Sequence, residues 1–100
     1  MKTRYSIYMD YRKACAQADR LEELSVSLLK MRNTQFNECL RQIRTEWESD
    51  HSNAYLSKAN IVGNRISDTS RALKNTAVTI RSIAWRTYRA EMAALDAARS

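Results

Sequence analysis

The chain is short, basic and nearly free of turn-forming residues: it has 100 residues, a formal net charge of +6, one Gly and no Pro. Because tight turns usually use Gly or Pro, this composition argues against an all-β or α/β domain, and the length allows one domain at most. The 44% hydrophobic and 28% charged residues are typical of an ordered protein. No apolar run is long enough to cross a bilayer, and the polar first ten residues predict no cleaved signal peptide.

The first predicted element is a long helix from about residue 8 to residue 47. Its apolar residues recur at the spacing of one helix face; they are Ala14, Ala18, Leu21, Leu24, Leu28, Phe36, Cys39, Leu40, Ile43 and Trp47. Cys15 and Cys39 would lie about 36 Å apart on such a helix, which is too far for a disulfide bond. With one histidine and no Cys-x-x-Cys pair, the sequence predicts free thiols, no metal site and no cofactor.

A cluster of helix-capping and turn-forming residues at 48–53 predicts a break after this helix. Ser49, Asp50 or Ser52 can accept hydrogen bonds from the free amides that begin the next helix. His51 lies in the same polar turn, with no nucleophile arranged around it by the sequence. Since a catalytic base needs a pocket and an orienting partner, we expect a protein without enzymatic activity.

The second predicted helix runs from about residue 54 to residue 97 and carries an uncharged seam over about five heptads. The seam consists of Ala59, Val62, Ile66, Thr69, Leu73, Thr76, Ile80, Ile83, Thr87, Ala90 and Ala94. Gly63 falls inside this helix and indicates either a close helix approach or a bend. Two long helices joined by a short break predict an all-α fold, an antiparallel helical hairpin.

The apolar surface of the first helix exceeds what one neighbouring helix can cover, so we expect two hairpins to form a four-helix bundle. The second hairpin is a copy of this chain or a paralogous one. Arg32 lies within the apolar face and needs a carboxylate or an exit to solvent. If two copies pack antiparallel about residue 27, that carboxylate is the partner's Glu22. The predicted dimer interface comprises Leu21, Glu22, Leu28, Arg32 and Phe36.

An apolar and aromatic stripe is predicted on the outward side of the second helix. Three residues repeat every seven positions and four lie beside them: Val78, Trp85 and Met92, with Tyr88, Leu95, Arg81 and Arg89. An exposed stripe of this kind usually marks a docking surface, and the alternative is that neighbours in the bundle cover it.

Trp47 ends the first predicted helix, the small residue Ser49 follows two positions later, and Tyr55 comes eight positions after Trp47. With the chain length, the polar start and the two flanking helices, this motif resembles the WXG family, the small early-secreted-antigen-type substrates of type VII (ESX) secretion systems. The family has Gly where this chain has Ser49. The family also has a Tyr-x-x-x-Asp/Glu export motif, whereas Tyr88 is here followed by Glu91 at the third position and Met92 at the fourth.

The resemblance implies a protein that is exported folded from the cytoplasm without a cleaved signal peptide. It would act by protein–protein interaction, as a secreted substrate or as the targeting partner of a larger effector. The resemblance also implies that Trp85, Tyr88, Glu91 and Met92 form the export and docking site, with the secretion ATPase or the effector as the partner.

The basic second helix leaves two other functions open. No acidic residue lies between Thr69 and Ala90, where the basic residues are Arg71, Lys74, Arg81, Arg86 and Arg89. Such a helix could bind nucleic acid through its charges and aromatic rings, although the chain has no recognition-helix motif. It could also lie on an anionic membrane, although a seam of threonine and alanine is weakly apolar.

Overall fold

The backbone of residues 2–46 and 50–99 is described by a computed structural model, and the side chains of the same residues except 50–52. Within these ranges the protein is helical and contains no strand, which confirms the predicted all-α class. Helix α1 spans Arg4–Met31, a π-helical turn spans Arg32–Phe36, helix α2 spans Asn37–Glu46 and helix α3 spans Asp50–Arg99.

Helix α1 begins at Arg4 rather than near residue 8, because Thr3 and Ser6 cap it reciprocally. The Ser6 amide donates to the Thr3 hydroxyl oxygen at 3.1 Å, and the Thr3 amide donates to the Ser6 hydroxyl oxygen at 3.0 Å. The two bonds satisfy amides that a helix start otherwise leaves free. The first turn is also anchored by Ile7, which is buried. Apolar periodicity alone gives no sign of this cap.

Helix α3 begins at Asp50, so residues 50–53 of the predicted turn are helical, and it ends at Arg99 rather than near residue 97. Trp47 and Ser49 lie outside the described residues, and so do the side chains that were predicted to cap this helix. Tyr55, the third residue of the predicted motif, lies in the first turns of α3 with an exposed side chain.

The chain divides into two compact units, of which unit 1 contains Met1–Glu22 and Lys74–Ser100. In unit 1 the start of α1 runs antiparallel to the end of α3, since Arg4 pairs with Asp96 and Arg81 pairs with Glu22. The buried apolar residues of this unit are Ile7, Ala18, Ala77 and Leu95. Two of the four are alanines, so the helices of unit 1 approach one another closely at that level.

Unit 2 contains Glu23–Leu73 and pairs the rest of α1, with the π-helical turn and α2, against the first half of α3. Ser25 hydrogen-bonds to Ser70, and the Arg32 side chain lies against Gly63, so the two segments are again antiparallel. Arg32 therefore faces Gly63 within its own chain.

The seam of α3 lies one residue away from seven of its eleven predicted positions. Ala59, Ile66, Leu73 and Ile80 are half-buried as expected. The other seven predicted positions are exposed: Val62, Thr69, Thr76, Ile83, Thr87, Ala90 and Ala94. The residue that follows each of the last three faces inward instead: Tyr88, Glu91 and Leu95. For the first four the inward residues are small: Gly63, Ser70, Ala77 and Ala84. Ala77 has no exposed surface, whereas half of the Ile83 side chain is exposed. Close packing selects small residues at these positions, and ranking positions by hydrophobicity selects their larger neighbours instead.

The π-helical turn shifts the inward face of the first helical segment by one residue. Before the turn the inward positions are Ala18, Leu21, Ser25, Leu28 and Arg32, at alternating steps of three and four. A regular continuation would reach Gln35, Cys39 and Gln42, which are all exposed. The π-helical turn adds one residue to the helix, so the inward residues become Phe36, Leu40 and Ile43.

Candidate functional site

Three aromatic rings from α1 and α3 form a cluster in unit 1. The Trp85 and Tyr88 rings are stacked, with centroids 5.7 Å apart and planes inclined by 23°. The Tyr11 ring packs against both, with its centroid 5.1 Å from that of Tyr88 and 5.9 Å from that of Trp85. Helical spacing explains the arrangement, because residues three apart lie on one helix face. Trp85 keeps 47% of its surface exposed although two rings support it.

A groove lies beside this cluster, between the start of α1 and the end of α3. Its volume is about 270 Å³, and it is lined by Ile7, Asp10, Tyr11, Ala14, Ile80, Ile83, Ala84, Thr87, Tyr88 and Glu91. The two alanines leave space that larger side chains would fill, while the tyrosine rings border the groove. Its lining is mainly apolar, so the groove suits an apolar side chain better than a charged one.

The Lys2 ammonium bridges the two carboxylates of the groove. Its Nζ lies 3.1 Å from Asp10 Oδ2 and 3.1 Å from Glu91 Oε2. Hydrogen bonds to Glu91 and then to Asp10 raise the pKa of Lys2 above its ordinary value. The lysine thus remains charged and ties the residues before α1 to the end of α3. All three side chains are solvent-accessible, so we assign little stability to the bridge.

A second ionic cluster joins the two helices further along unit 1. Arg81 donates to Asp19 Oδ1 at 2.7 Å and to Glu22 Oε2 at 2.5 Å. These hydrogen bonds, to Asp19 first and then to Glu22, raise the pKa of Arg81. The arginine therefore has two carboxylate partners within its own chain.

The predicted docking residues are brought together only in part. Trp85 stacks on Tyr88, and Tyr88 lines the same groove as Glu91. Glu91 is held by Lys2, and Met92 is half-buried rather than outward. Leu95, which the sequence placed beside the outward stripe, is buried at 5% exposure. It lies five helical turns after the buried Ala77 and therefore on the same face of α3.

The predicted dimer residues turn partly towards their own chain. Leu21 and Leu28 are half-buried, and Glu22 binds Arg81. The Arg32 guanidinium carbon lies 5.2 Å from the centroid of the Phe36 ring, and both side chains lie against Gly63; Arg32 also donates to Asn37. The contact between Arg32 and the partner's Glu22 stays a prediction, and both residues have other partners within one chain.

Tyr11, Asp10 and Lys2 belong to the site, and sequence reasoning had not selected them. The available signal was the repetition of tyrosines at Tyr5, Tyr8 and Tyr11, which marks a helix face rich in aromatic rings. Hydrogen bonding to Cys15 raises the pKa of Tyr11, so this phenol remains protonated. Cys15 is half-buried and Cys39 is exposed, and both are free thiols.

The described residues hold no group of three or more His, Cys, Asp or Glu side chains that could bind a metal ion. Across the same residues, no helix has an apolar stretch that would span a membrane. The candidate site itself is a supported, half-exposed indole beside an apolar groove. Protein-binding surfaces often have aromatic anchors of this kind. Comparisons with protein-family models, curated proteins and solved structures find no match for this chain.

Proposed function

We propose that the protein is an interaction protein of a type VII secretion system, exported as a substrate or as the targeting partner of a larger effector. The family resemblance of the sequence motivates the secretion system. The observation that carries the interaction role is Trp85, which is half-exposed and stacked on Tyr88. An indole already fixed by its neighbours loses little conformational entropy on binding and is therefore suited to anchor a partner.

The proposal includes the hairpin and its self-association. The antiparallel pairs within each unit support a single helical hairpin. Unit 2 exposes several large apolar side chains: Leu24, Val26, Leu29, Met31, Ile61 and Val62. They are available to a second hairpin, whether a copy of this chain or a paralogue, and a four-helix bundle would remove them from water.

Export of a Trp85→Ser variant tests this function. In a host with an active type VII system, we expect the variant to accumulate in the cells and to be missing from the culture supernatant. Tyr5→Ser is the matched control, because it also removes a ring, and Tyr5 is more exposed, at 72%. Tyr88 and Met92 are poorer probes, since both are half-buried and their loss would also affect folding.

Circular dichroism of the purified variants separates a loss of export from a loss of folding. A folded Trp85→Ser protein that is exported as well as the unmodified chain would refute a role for Trp85 in docking. Normal appearance of the unmodified chain in the supernatant of a host without the secretion ATPase would refute the type VII assignment.

A further inference from the structure

Unit 1 has more basic residues than acidic residues to pair with them. Unit 1 contains ten basic and five acidic residues, a balance of +5 out of the +6 of the whole chain. All five carboxylates are already in ion pairs with Lys2, Arg4 or Arg81; they are Asp10, Asp19, Glu22, Glu91 and Asp96. In the described part of the chain, several cations of this unit have no carboxylate in ion-pairing distance: Arg12, Lys13, Arg20, Lys74, Arg86 and Arg89.

Some of these cations lie on the same side of the molecule as the exposed Val78 and Trp85 and define with them a basic aromatic flank. It consists of Arg12, Lys74, Val78, Trp85 and Arg89. On α3 the last four are spaced by four, seven and four residues, so they follow one side of the helix. Val78 is 56% exposed and Trp85 is 47% exposed. On α1, Arg12 is the exposed residue next to Tyr11, whose ring packs against Trp85, and we include it in the flank for that reason.

We propose that this basic aromatic flank binds an acidic amphipathic helix of a partner protein. Val78 and Trp85 are seven residues and therefore about 10 Å apart along α3, which is the repeat of the apolar side chains on a second helix. Lys74 and Arg89 border this apolar pair at either end. Carboxylates on the docked helix would pair with them and with Arg12, and the leucine or aromatic side chains between would cover Trp85.

The positive charge of the flank and its exposed apolar side chains together favour one class of partner over the others. A second copy of this chain would bring one +5 unit against another wherever the two flanks met, which is unfavourable. Nucleic acid would satisfy the cations but has no apolar side chains to cover Val78. An acidic helix satisfies both features at the same spacing. The inference rests on the interaction role proposed above and adds the chemistry of the partner.

Binding of a synthetic peptide to the full chain tests the inference. The probe is a fluorescently labelled amphipathic peptide of three heptads, with leucine at the first and fourth positions and glutamate at the flanking positions. We expect micromolar binding by fluorescence anisotropy at low salt and a weaker affinity at high salt. Arg12→Glu combined with Arg89→Glu, or Trp85→Ser alone, should reduce the affinity at least tenfold.

The matched control is Lys58→Glu combined with Arg65→Glu, which makes the same charge change in unit 2 at exposed positions. It should leave the affinity within twofold, and circular dichroism confirms that each variant is folded. Equal binding of a scrambled peptide of the same composition would overturn the inference, since only charge would then be recognised. Flank-dependent binding that is tighter to duplex DNA, single-stranded RNA or anionic vesicles would overturn it in favour of that partner.

The peptide assay and the export assay fail independently. Loss of export in Trp85→Ser without any peptide binding would leave the proposed function standing and refute the acidic partner. Flank-dependent peptide binding with normal export of Trp85→Ser would support the acidic partner and refute the role of this surface in secretion.

Discussion

Ser25 and Ser70 are the only polar side chains that are buried in the described part of the chain. Each hydroxyl donates to the backbone carbonyl oxygen of the other residue at 2.7 Å, and the two hydroxyl oxygens are 3.0 Å apart. Side chains this short can form the reciprocal bonds only where the two helix backbones are close. The pair therefore satisfies two buried hydroxyls and also fixes how closely α1 and α3 approach in unit 2.

We expect Ser70→Val to lower the free energy of unfolding by about 2–3 kcal/mol, because valine loses the hydroxyl bonds and overfills the close contact. Urea denaturation at a fixed protein concentration measures the change. Thr69→Val is the matched control, since Thr69 is exposed and differs from valine by one hydroxyl group. Equal effects of the two substitutions would contradict the inward position of Ser70 and favour the seam predicted from the sequence.

Gly63 meets a second close contact, with the Arg32 side chain and the Phe36 ring. A Cβ atom at this position would lie 2.5 Å from Arg32 Nε and 2.8 Å from Phe36 Cε1. Arg32 Nε is buried without a hydrogen-bond partner within the described residues, so its surroundings are tightly packed. We infer that Gly63 permits the helix approach, the first of the two roles that the sequence left open.

Gly63→Ala should destabilise the protein by about 1–2 kcal/mol, although alanine favours a helix interior by about 1 kcal/mol over glycine. Urea denaturation again measures the change, with Asn64→Ala at the exposed neighbouring position as the control. In an Arg32→Ala background the cost should fall, since two of the three nearest atoms are then absent. A gain in stability from Gly63→Ala in the unmodified background would show that the site has room for the methyl group.

At the scale of the helical elements, the π-helical turn at Arg32–Phe36 decides which side chains face α3. The Thr34 hydroxyl donates to the Lys30 carbonyl oxygen at 2.7 Å, a bond that competes with the regular helical ladder. The extra residue of this turn brings Phe36 and Leu40 inward, in place of polar Gln35 and exposed Cys39. The turn therefore reconciles two stretches of helix whose apolar patterns are out of step by one residue.

Deletion of Thr34 should be tolerated, because removing the extra residue lets a regular helix present Phe36, Leu40 and Ile43 in register with the preceding face. We expect a cooperative thermal transition and a free energy of unfolding within about 1 kcal/mol of the unmodified chain. Deletion of Asn64, an exposed residue of α3 in the same unit, instead rotates one part of that helix by about 100° relative to the other, because α3 has no π-helical turn that could absorb the change. That variant should lose its cooperative transition, and similar melting curves for the two deletions would contradict the register argument.

The sequence predicted the helical class and most of the helical residues, because two long amphipathic patterns and the lack of Gly and Pro leave few alternatives. It did not predict the Thr3 cap or the part of the α3 seam that contains Ser70 and Ala77. Those features depend on short side chains at close contacts, to which a ranking by hydrophobicity gives little weight. For the candidate site, Trp85 and Tyr88 were identified on one helix face. The supporting Tyr11 ring depends on the pairing of α1 with α3, which one helix pattern does not contain.

At the scale of the whole molecule, the net charge is divided unevenly between the two units. Unit 1 carries +5 of the net charge, and unit 2 carries +1. The described part of unit 2 exposes six large aliphatic side chains: Leu24, Val26, Leu29, Met31, Ile61 and Val62. The self-association proposed above would cover these side chains through the nearly neutral unit 2, without bringing the cations of unit 1 together.

We therefore expect the protein alone to sediment as a dimer at micromolar concentration, and Leu24→Glu combined with Val62→Glu to sediment as a monomer. Both side chains are about half-exposed in unit 2, so glutamate is tolerated in a single chain but not in an apolar interface. Val78→Glu is the control, with a similarly exposed valine of α3 in unit 1, and should remain dimeric. Analytical ultracentrifugation distinguishes the states. A folded monomer of the unmodified chain at high protein concentration would refute self-pairing and leave a paralogous hairpin as the partner of unit 2.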